Sequence, residues 1–125
     1  MTENEISYKI RGAIFNLYKN LGPRLLESVY VAILRHELIK DKLDVMVEVP
    51  IPVYYEEKKL ELGFRLDLLV EGKVIIEVKS VENLAEVHHK QVLTYLKLTN
   101  LKLGILVNFN VNDIKEGIFR KVNGL

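Results

Sequence analysis

A chain of 125 residues, 49% of them hydrophobic, is long enough to bury one core and too short for two ordinary domains, so residues 1–125 are expected to form a single domain. The 18 basic and 17 acidic side chains give a formal charge of +1, which argues against a protein that coats nucleic acid through bulk charge but allows an enzyme that contacts a few phosphates. The absence of cysteine excludes disulfides and thiolate metal sites, so a bound metal would be a hard cation held by oxygen or imidazole ligands.

The first five residues, Met1 to Glu5, are polar and acidic, unlike the basic and then apolar start of a secretory signal. No apolar run approaches the roughly 20 residues that span a bilayer. We therefore expect a cytoplasmic protein without a membrane segment.

Two helices are predicted in the first third of the chain. Apolar residues recur at helical spacing from Ile6 to Leu21, with Asn4 as the candidate N-cap. Gly22-Pro23 interrupts this pattern, and Pro23 suits the first turn of a second helix that runs to about Lys40. The apolar stripe of the second helix comprises Leu26, Val29, Tyr30, Ile33, Leu34 and Leu38. Glu27 lies at the edge of that stripe.

The rest of the chain predicts strands with one further helix between them. Apolar residues alternate from Val45 to Val53, where Pro50 and Pro52 indicate an edge or irregular strand. The further predicted strands are 60–70, 74–78, the buried 103–109 and the weaker 118–122, with a helix over about 85–98. This order predicts an α/β sandwich in which helices cover a mixed sheet.

The strands 60–70 and 74–78 are predicted to form a hairpin around Glu71-Gly72-Lys73. Side chains alternate along a strand, so one face would carry Phe64, Leu66, Leu68, Val70, Val74, Ile76 and Val78. The other face would carry Arg65, Asp67, Leu69, Ile75, Glu77 and Lys79. Burying the apolar sets together fixes the pairing parity, and a three-residue loop then places Asp67 directly across from Glu77.

Two opposed carboxylates, with β-carbons about 4.5 to 5.5 Å apart, destabilise a sheet unless something offsets their repulsion. A hard divalent cation would do so, since Mg²⁺ typically takes one or two carboxylates, several waters and substrate phosphate oxygens. The alternative is an ordinary solvated network in which Arg65 and Lys79 neutralise the two acids.

The hairpin carries an acid on one strand and acid-x-Lys on the next, a pattern that resembles the PD-(D/E)xK nuclease superfamily. Three other segments accompany it in order, namely 21–30 (LGPRLLESVY), 91–96 (QVLTYL) and 104–109 (GILVNF). Together they resemble the GxxExxY family, a branch of that superfamily, over nearly the whole chain.

The resemblance implies a restriction-endonuclease-like core: a helix, a three-stranded meander, another helix and a further strand. It implies that Asp67, Glu77 and the main-chain carbonyl of Val78 bind Mg²⁺ (or Mn²⁺), and that Lys79 orients or deprotonates the attacking water. Glu27 would add a carboxylate from the helix. The sequence departs from the family pattern at Arg24, where a glycine is expected, and at Leu66, which replaces the proline before the first acid.

The third helix presents His88, Gln91 and Tyr95 on one face, at i, i+3 and i+7. Gln91 and Tyr95 resemble the Q-x-x-x-Y element of some nuclease branches, in which the amide positions substrate or an acidic ligand, although Tyr95 is equally consistent with a core residue. The adjacent His88 and His89 point in different directions and cannot form an i, i+4 metal pair, so we interpret them as surface or supporting residues.

The leading hypothesis is a metal-dependent nuclease that hydrolyses phosphodiester bonds in DNA or RNA. The rival hypothesis is a nuclease-fold binding or regulatory module that lacks activity and acts through a protein partner or as a homodimer. Such a homodimer could form by pairing of an edge strand around 45–55 across two subunits.

Overall fold

The computed structural model describes residues 1–61 and 63–125. Within these residues the helices are α1 (Glu3–Leu21), α2 (Glu27–Lys40) and α3 (Glu86–Thr99). The strands are β1 (Val45–Pro50), β2 (Val53–Tyr55), β3 (Lys58–Leu60), β4 (Arg65–Val70), β5 (Val74–Lys79), β6 (Leu103–Asn108) and β7 (Ile118–Val122). A 3₁₀ turn (Ile114–Gly117) precedes β7.

Five strands form one mixed sheet in the order β1-β4-β5-β6-β7. The strands β1, β4 and β5 make an antiparallel meander, β6 runs parallel to β5, and β7 returns antiparallel to β6. A parallel neighbour requires a crossover connection, and α3 supplies it between β5 and β6. The predicted meander, the further strand and the edge position of β1 are confirmed.

Helices cover both faces of this sheet. One face packs under α1 and α2, and its fully buried residues include Ile10, Leu34, Leu68, Val78 and Ile105. The smaller cluster on the opposite face joins α3 to the sheet through Ile51, Leu66, Ile75, Tyr95 and Leu96. The predicted α/β sandwich is therefore confirmed, and both sides of the hairpin are covered by other elements.

The first helix begins earlier than predicted, and its cap is Thr2 rather than Asn4. The Thr2 hydroxyl accepts a hydrogen bond from the Glu5 N–H at 3.1 Å, and the Glu5 carboxylate accepts one from the Thr2 N–H at 3.0 Å. This reciprocal capping box satisfies two amide groups that the helix itself leaves without partners. The buried stripe ends at Leu17, and Leu21 is exposed.

The second helix begins at Glu27, four residues after the predicted start at Pro23. Arg24 takes a φ of 74°, in the left-handed region, which is incompatible with a right-handed helix at that point. Of the predicted stripe, Tyr30, Leu34 and Leu38 are buried, whereas Leu26 and Val29 are exposed. The late start leaves Leu26 at the N-cap, outside the buried face.

The predicted strand 60–70 is wrong in its first half. Of its described residues, Arg65–Val70 joins the main sheet, while Lys58–Leu60 pairs with Val53–Tyr55 in a separate two-stranded ribbon that the sequence pattern did not predict. Leu62, within the predicted strand, lies outside the described residues. The prediction that Leu66 shares the face of Leu68 is also wrong, because Leu66 belongs to the α3 cluster.

Strand alternation changes face beside Asp67. On β1, Glu48 takes a φ of 51°, and no Glu48–Asp67 pair occurs between the pairs that join Val47 to Leu68 and Val49 to Leu66. The residues before and after this interruption therefore point to different helical layers. In the described part of the chain, no helix is long and apolar enough to cross a membrane.

Candidate metal centre

The β4–β5 hairpin has the predicted register and the predicted three-residue loop. Its ladder pairs Val70 with Val74, Leu69 with Ile75, and Leu68 with Ile76. The next positions in this register are Asp67 and Glu77, where the backbone ladder stops and side chains take over the hydrogen bonding.

Asp67 and Glu77 are linked to each other's strands by two side-chain hydrogen bonds. The Asp67 N–H donates to Glu77 Oε2 at 3.3 Å, and the Val78 N–H donates to Asp67 Oδ2 at 2.8 Å. Each carboxyl group thus accepts a hydrogen bond from a backbone N–H of the opposite strand. The two acids are held beside each other by the end of the hairpin.

Glu77 is almost completely removed from water, with only 3% of its surface exposed. Burial raises the pKa of Glu77 to about 10, with further upward contributions from the hydrogen bond to Asp67 and from the Asp67 charge, while Lys79 acts in the opposite direction. Without a cation, the pair therefore holds a proton on Glu77 at neutral pH.

Val78 and Lys79 complete the segment predicted to be catalytic. The Lys79 carbonyl accepts from the Phe109 N–H at 3.0 Å and so faces β6. Adjacent residues of a strand direct their backbone groups to opposite sides, so the carbonyl of Val78 faces β4 and Asp67, as its N–H does. The half-buried Lys79 side chain lies close enough to Glu77 to favour its charged form.

The alternative arrangement, in which Arg65 and Lys79 form ion pairs with the two acids, is not seen among the described residues. Among the described residues, the ion pairs within 4.0 Å are Lys40–Glu37 and Lys90–Glu86, and neither Arg65 nor Lys79 bridges the acid pair. Arg65 is exposed instead. The raised pKa of Glu77 favours its neutral form, which reduces the repulsion between the two carboxyl groups without a basic side chain.

Glu27 reaches the same region from the start of α2. Its side chain is exposed, and Oε2 accepts from the Ser80 N–H at 3.3 Å, immediately after β5. Glu27 and Asp67 line one groove of about 690 Å³. The structure therefore brings Glu27 to the carboxyl end of β5, beside Asp67 but with its own backbone partner.

The loop before α2 is fixed by Tyr30 and Ser80, whose roles the sequence pattern does not indicate. The buried Tyr30 hydroxyl donates to the Gly22 carbonyl at 2.7 Å and accepts from the Leu25 N–H at 3.2 Å, and its ring stacks on Phe109 at 4.2 Å. The Ser80 hydroxyl donates to the Leu25 carbonyl at 2.6 Å. These contacts set where Glu27 begins the helix. Nothing in the sequence pattern marks Ser80.

Asn108 organises the segment after β5 from the neighbouring strand. It is 3% exposed, its Oδ1 accepts from the Val81 N–H at 3.1 Å, and its amide donates to the Val81 carbonyl at 2.9 Å. A polar residue inside an otherwise apolar strand is the signal that could have found it, because a buried amide requires partners.

Helix α3 closes the site from the other face of the sheet. Tyr95 is buried, its ring lies 6.1 Å from the Phe64 ring, and burial, together with the charges of Glu77 and Asp67, raises its pKa. Gln91 is half-buried one turn earlier, and the described residues give it no side-chain hydrogen bond to Asp67 or Glu77. Tyr95 therefore lies near the acid pair, and among the described residues Gln91 makes no hydrogen bond to either acid.

The adjacent His88 and His89 contact residues outside the acid pair. His88 Nδ1 accepts from the Ala85 N–H at 3.0 Å at the start of α3, and the His89 ring packs edge-on against Phe119 at 4.8 Å. Burial lowers the pKa of His89, and the positive charge of Lys121 adds to the effect. Neither histidine is directed at the acid pair.

A divalent cation fits the donor set at the hairpin end. Two adjacent carboxyl groups and the Val78 carbonyl are hard oxygen donors, and Mg²⁺ commonly takes one or two carboxylates with waters filling its other positions. In residues 1–61 and 63–125, no three His, Cys, Asp or Glu side chains are arranged to hold one ion, so Glu27 is not a third ligand in this arrangement. The fit therefore rests on two carboxylates.

A mixed sheet between helical layers, with an acid on β4 and acid-x-Lys on β5, defines a restriction-endonuclease-like α/β protein. The chain belongs to the PD-(D/E)XK nuclease superfamily, which it matches over residues 4–121. Members of this superfamily generally use divalent metals. No curated protein and no solved structure gives a significant match to the chain.

Proposed function

We propose that the protein is a metal-dependent nuclease that hydrolyses phosphodiester bonds in DNA or RNA, with Mg²⁺ or Mn²⁺ as its cofactor. The observation that supports this most is the acid pair, in which the buried Glu77 and the partly exposed Asp67 are held together with no basic side chain within 4.0 Å among the described residues. Membership of the nuclease superfamily supports the same reaction class.

In this proposal Asp67, Glu77 and the Val78 carbonyl hold the metal. The bound cation would lower the pKa of a water molecule and stabilise negative charge on the phosphate. Lys79, half-buried beside Glu77, orients the attacking water or accepts its proton. Loss of the proton from Glu77 accompanies metal binding, because a carboxylate ligand must be ionised.

Glu27 and Gln91 have supporting roles in this proposal. Glu27 lines the groove that begins at Asp67 and would contact a metal-bound water or a second cation from there. Gln91, on the face of α3 that carries Tyr95, would position substrate or Glu77.

Cleavage assays with single- and double-stranded DNA and RNA, with Mg²⁺, Mn²⁺ or EDTA, test the proposal. We expect metal-dependent cleavage, reduced about 100-fold or more in Asp67→Asn, Glu77→Gln and Lys79→Ala. Glu82→Gln, which removes an exposed carboxyl group outside the acid pair, is the matched control. Cleavage that survives EDTA, or that survives loss of both acids, would exclude this active site.

A second candidate is a binding or regulatory module that keeps the fold without the activity. The exposed edge of the sheet favours it, because β1 has a free side and the adjoining ribbon exposes Tyr54 and Tyr55. Sedimentation that gives a homodimer or a stable protein complex, with no metal binding by calorimetry, would support this candidate over the nuclease.

We also propose that the chain belongs to the GxxExxY branch of the superfamily. Arg24 occupies the position of its glycine with a left-handed φ, which is the backbone conformation that glycine adopts at least cost. Of the other residues in the pattern, Glu27 accepts a hydrogen bond from the Ser80 N–H, and the Tyr30 hydroxyl accepts one from the Leu25 N–H. We further propose that residues 1–125 form a single functional domain and that the protein is cytoplasmic, which localisation of a tagged protein would test.

A further inference from the structure

A groove runs between α2 and the edge strand β1, and Asp67 forms part of its wall. It has a volume of about 690 Å³, and α2 contributes Glu27, Val31 and Arg35 to it while β1 contributes Val47 and Glu48. The α2 residues are spaced at i, i+4 and i+8, so they follow one face of the helix along the groove. The groove is thus continuous from Asp67 to Arg35.

The charges in the groove are unequally distributed. Glu27, Glu48 and Asp67 are acidic, and Arg35 is the basic residue in the groove lining. Among the described residues, the Arg35 guanidinium has no carboxylate within 4.0 Å. An exposed guanidinium without an acidic partner, at a distance from the proposed reaction centre, is suited to bind an anion of a long substrate.

The distance along α2 from Glu27 to Arg35 indicates which anion Arg35 would bind. Eight residues separate Glu27 from Arg35, which corresponds to about 12 Å of helix. Along the axis of a duplex, one strand advances about 3.4 Å per phosphate, so 12 Å corresponds to no more than a few nucleotides of a strand. A mononucleotide at Asp67 would not extend that far, whereas a polynucleotide strand would.

We propose that this groove holds a polynucleotide strand and that Arg35 contacts a phosphate a few nucleotides from the one at Asp67. The inference rests on the proposed nuclease function and narrows its substrate to polymers. The planar guanidinium donates two parallel hydrogen bonds to one phosphate, which an ammonium group cannot do. The apolar side chains of Val31 and Val47, between the charged ends, offer a surface for sugar or base.

Kinetics with two substrates of different length test the proposal. We compare Arg35→Ala and Arg35→Lys with the unaltered protein, using bis(p-nitrophenyl) phosphate and an oligonucleotide long enough to pass Arg35. We expect Arg35→Ala to lower kcat/KM for the oligonucleotide by about tenfold relative to its effect on the small diester, through an increase in KM. Arg35→Lys should give a value between those of the unaltered protein and Arg35→Ala. Arg11→Ala, an exposed arginine of α1 that lies over the Phe15 ring, is the matched control.

Binding provides a readout that does not depend on cleavage. In an Asp67→Asn background, fluorescence anisotropy with the labelled oligonucleotide gives the dependence of affinity on salt. Loss of one phosphate contact lowers the slope of log K against log salt by about 0.9 for duplex and about 0.7 for single-stranded DNA. We expect this decrease for Arg35→Ala and not for Arg11→Ala.

The outcomes separate this inference from the nuclease proposal. Cleavage that depends on Asp67 and Glu77 but responds equally to Arg35→Ala with both substrates, together with an unchanged salt slope, would overturn the role of Arg35 and leave the nuclease intact. Absence of any cleavage, with a salt slope that falls for Arg35→Ala, would overturn the nuclease and retain the groove as a polynucleotide site.

Discussion

Replacement of Glu77 by glutamine isolates the electrostatics of the acid pair, without any substrate. In the folded state Glu77 has a pKa of about 10 and keeps its proton up to about that pH. In an unfolded chain the ordinary pKa of 4.5 applies, so the proton is lost above pH 4.5. Between these values the folded state binds one proton more than the unfolded state, so the free energy of unfolding falls as pH rises.

The magnitude follows from the two pKa values. Each pH unit in this window lowers the free energy of unfolding by about 1.4 kcal/mol, so that about 3 kcal/mol is lost between pH 4.5 and pH 7. That figure holds for any folded-state pKa above 7. Glutamine matches the protonated carboxyl group in size, stays neutral and can donate to Asp67. Glu77→Gln should therefore be about 3 kcal/mol more stable than the wild type at pH 7 and about equal to it at pH 4.

Urea unfolding followed by circular dichroism, at several pH values from about 4 to 8.5, measures this difference. Glu82→Gln controls for the loss of one exposed carboxyl group. Free energies of wild type and Glu77→Gln that run parallel across the whole range would refute the reasoning, because they would mean that Glu77 is ionised in the folded state. Addition of Mg²⁺ should stabilise the wild type and narrow the difference, if Asp67 and Glu77 bind the ion.

Three further changes test the surroundings of the site by thermal unfolding. Arg24→Gly relieves a left-handed φ and should raise stability by about 1 kcal/mol, or Tm by about 4 °C, and a lower Tm would contradict the strain argument. Tyr30→Phe leaves a partly buried carbonyl and a partly buried amide without their partner, so we expect a loss of about 1 to 3 kcal/mol, and a change near zero would mean that the hydroxyl does not fix the loop. Gly117→Ala should cost about 3 kcal/mol or more, because its Cβ would lie 2.3 Å from the Asn108 carbonyl oxygen, and a wild-type Tm would show that the backbone can move away.

The sequence was sufficient for the register of the hairpin that carries the acids. Apolar and polar residues alternate in 64–70 and 74–79, and this alternation together with a three-residue loop allows one pairing of the two strands. The observed ladder from Val70–Val74 to Leu68–Ile76 has that pairing. The order of elements was likewise sufficient for an α/β sandwich with a mixed sheet. Both inferences depend on residues that are close in the chain.

Elements fixed by distant partners were predicted less well. The start of α2 depends on Ser80, which lies 55 residues from the Leu25 carbonyl that it binds, so helix propensity around Pro23 placed the start too early. The face of Leu66 depends on the interruption at Glu48 of the neighbouring strand. No local pattern contains either contact.

The sequence by itself determined that Asp67 and Glu77 stand side by side, because strand periodicity and loop length are local properties of the chain. Only the tertiary structure decided that Glu77 is buried and that its pKa is raised, because its exposure depends on α3 covering that face of the sheet. The same holds for the groove that joins Arg35 to Asp67, since α2 and β4 meet there only when the chain is folded. Adjacency of two charges follows from local geometry, whereas their pKa values depend on how much water the rest of the fold removes.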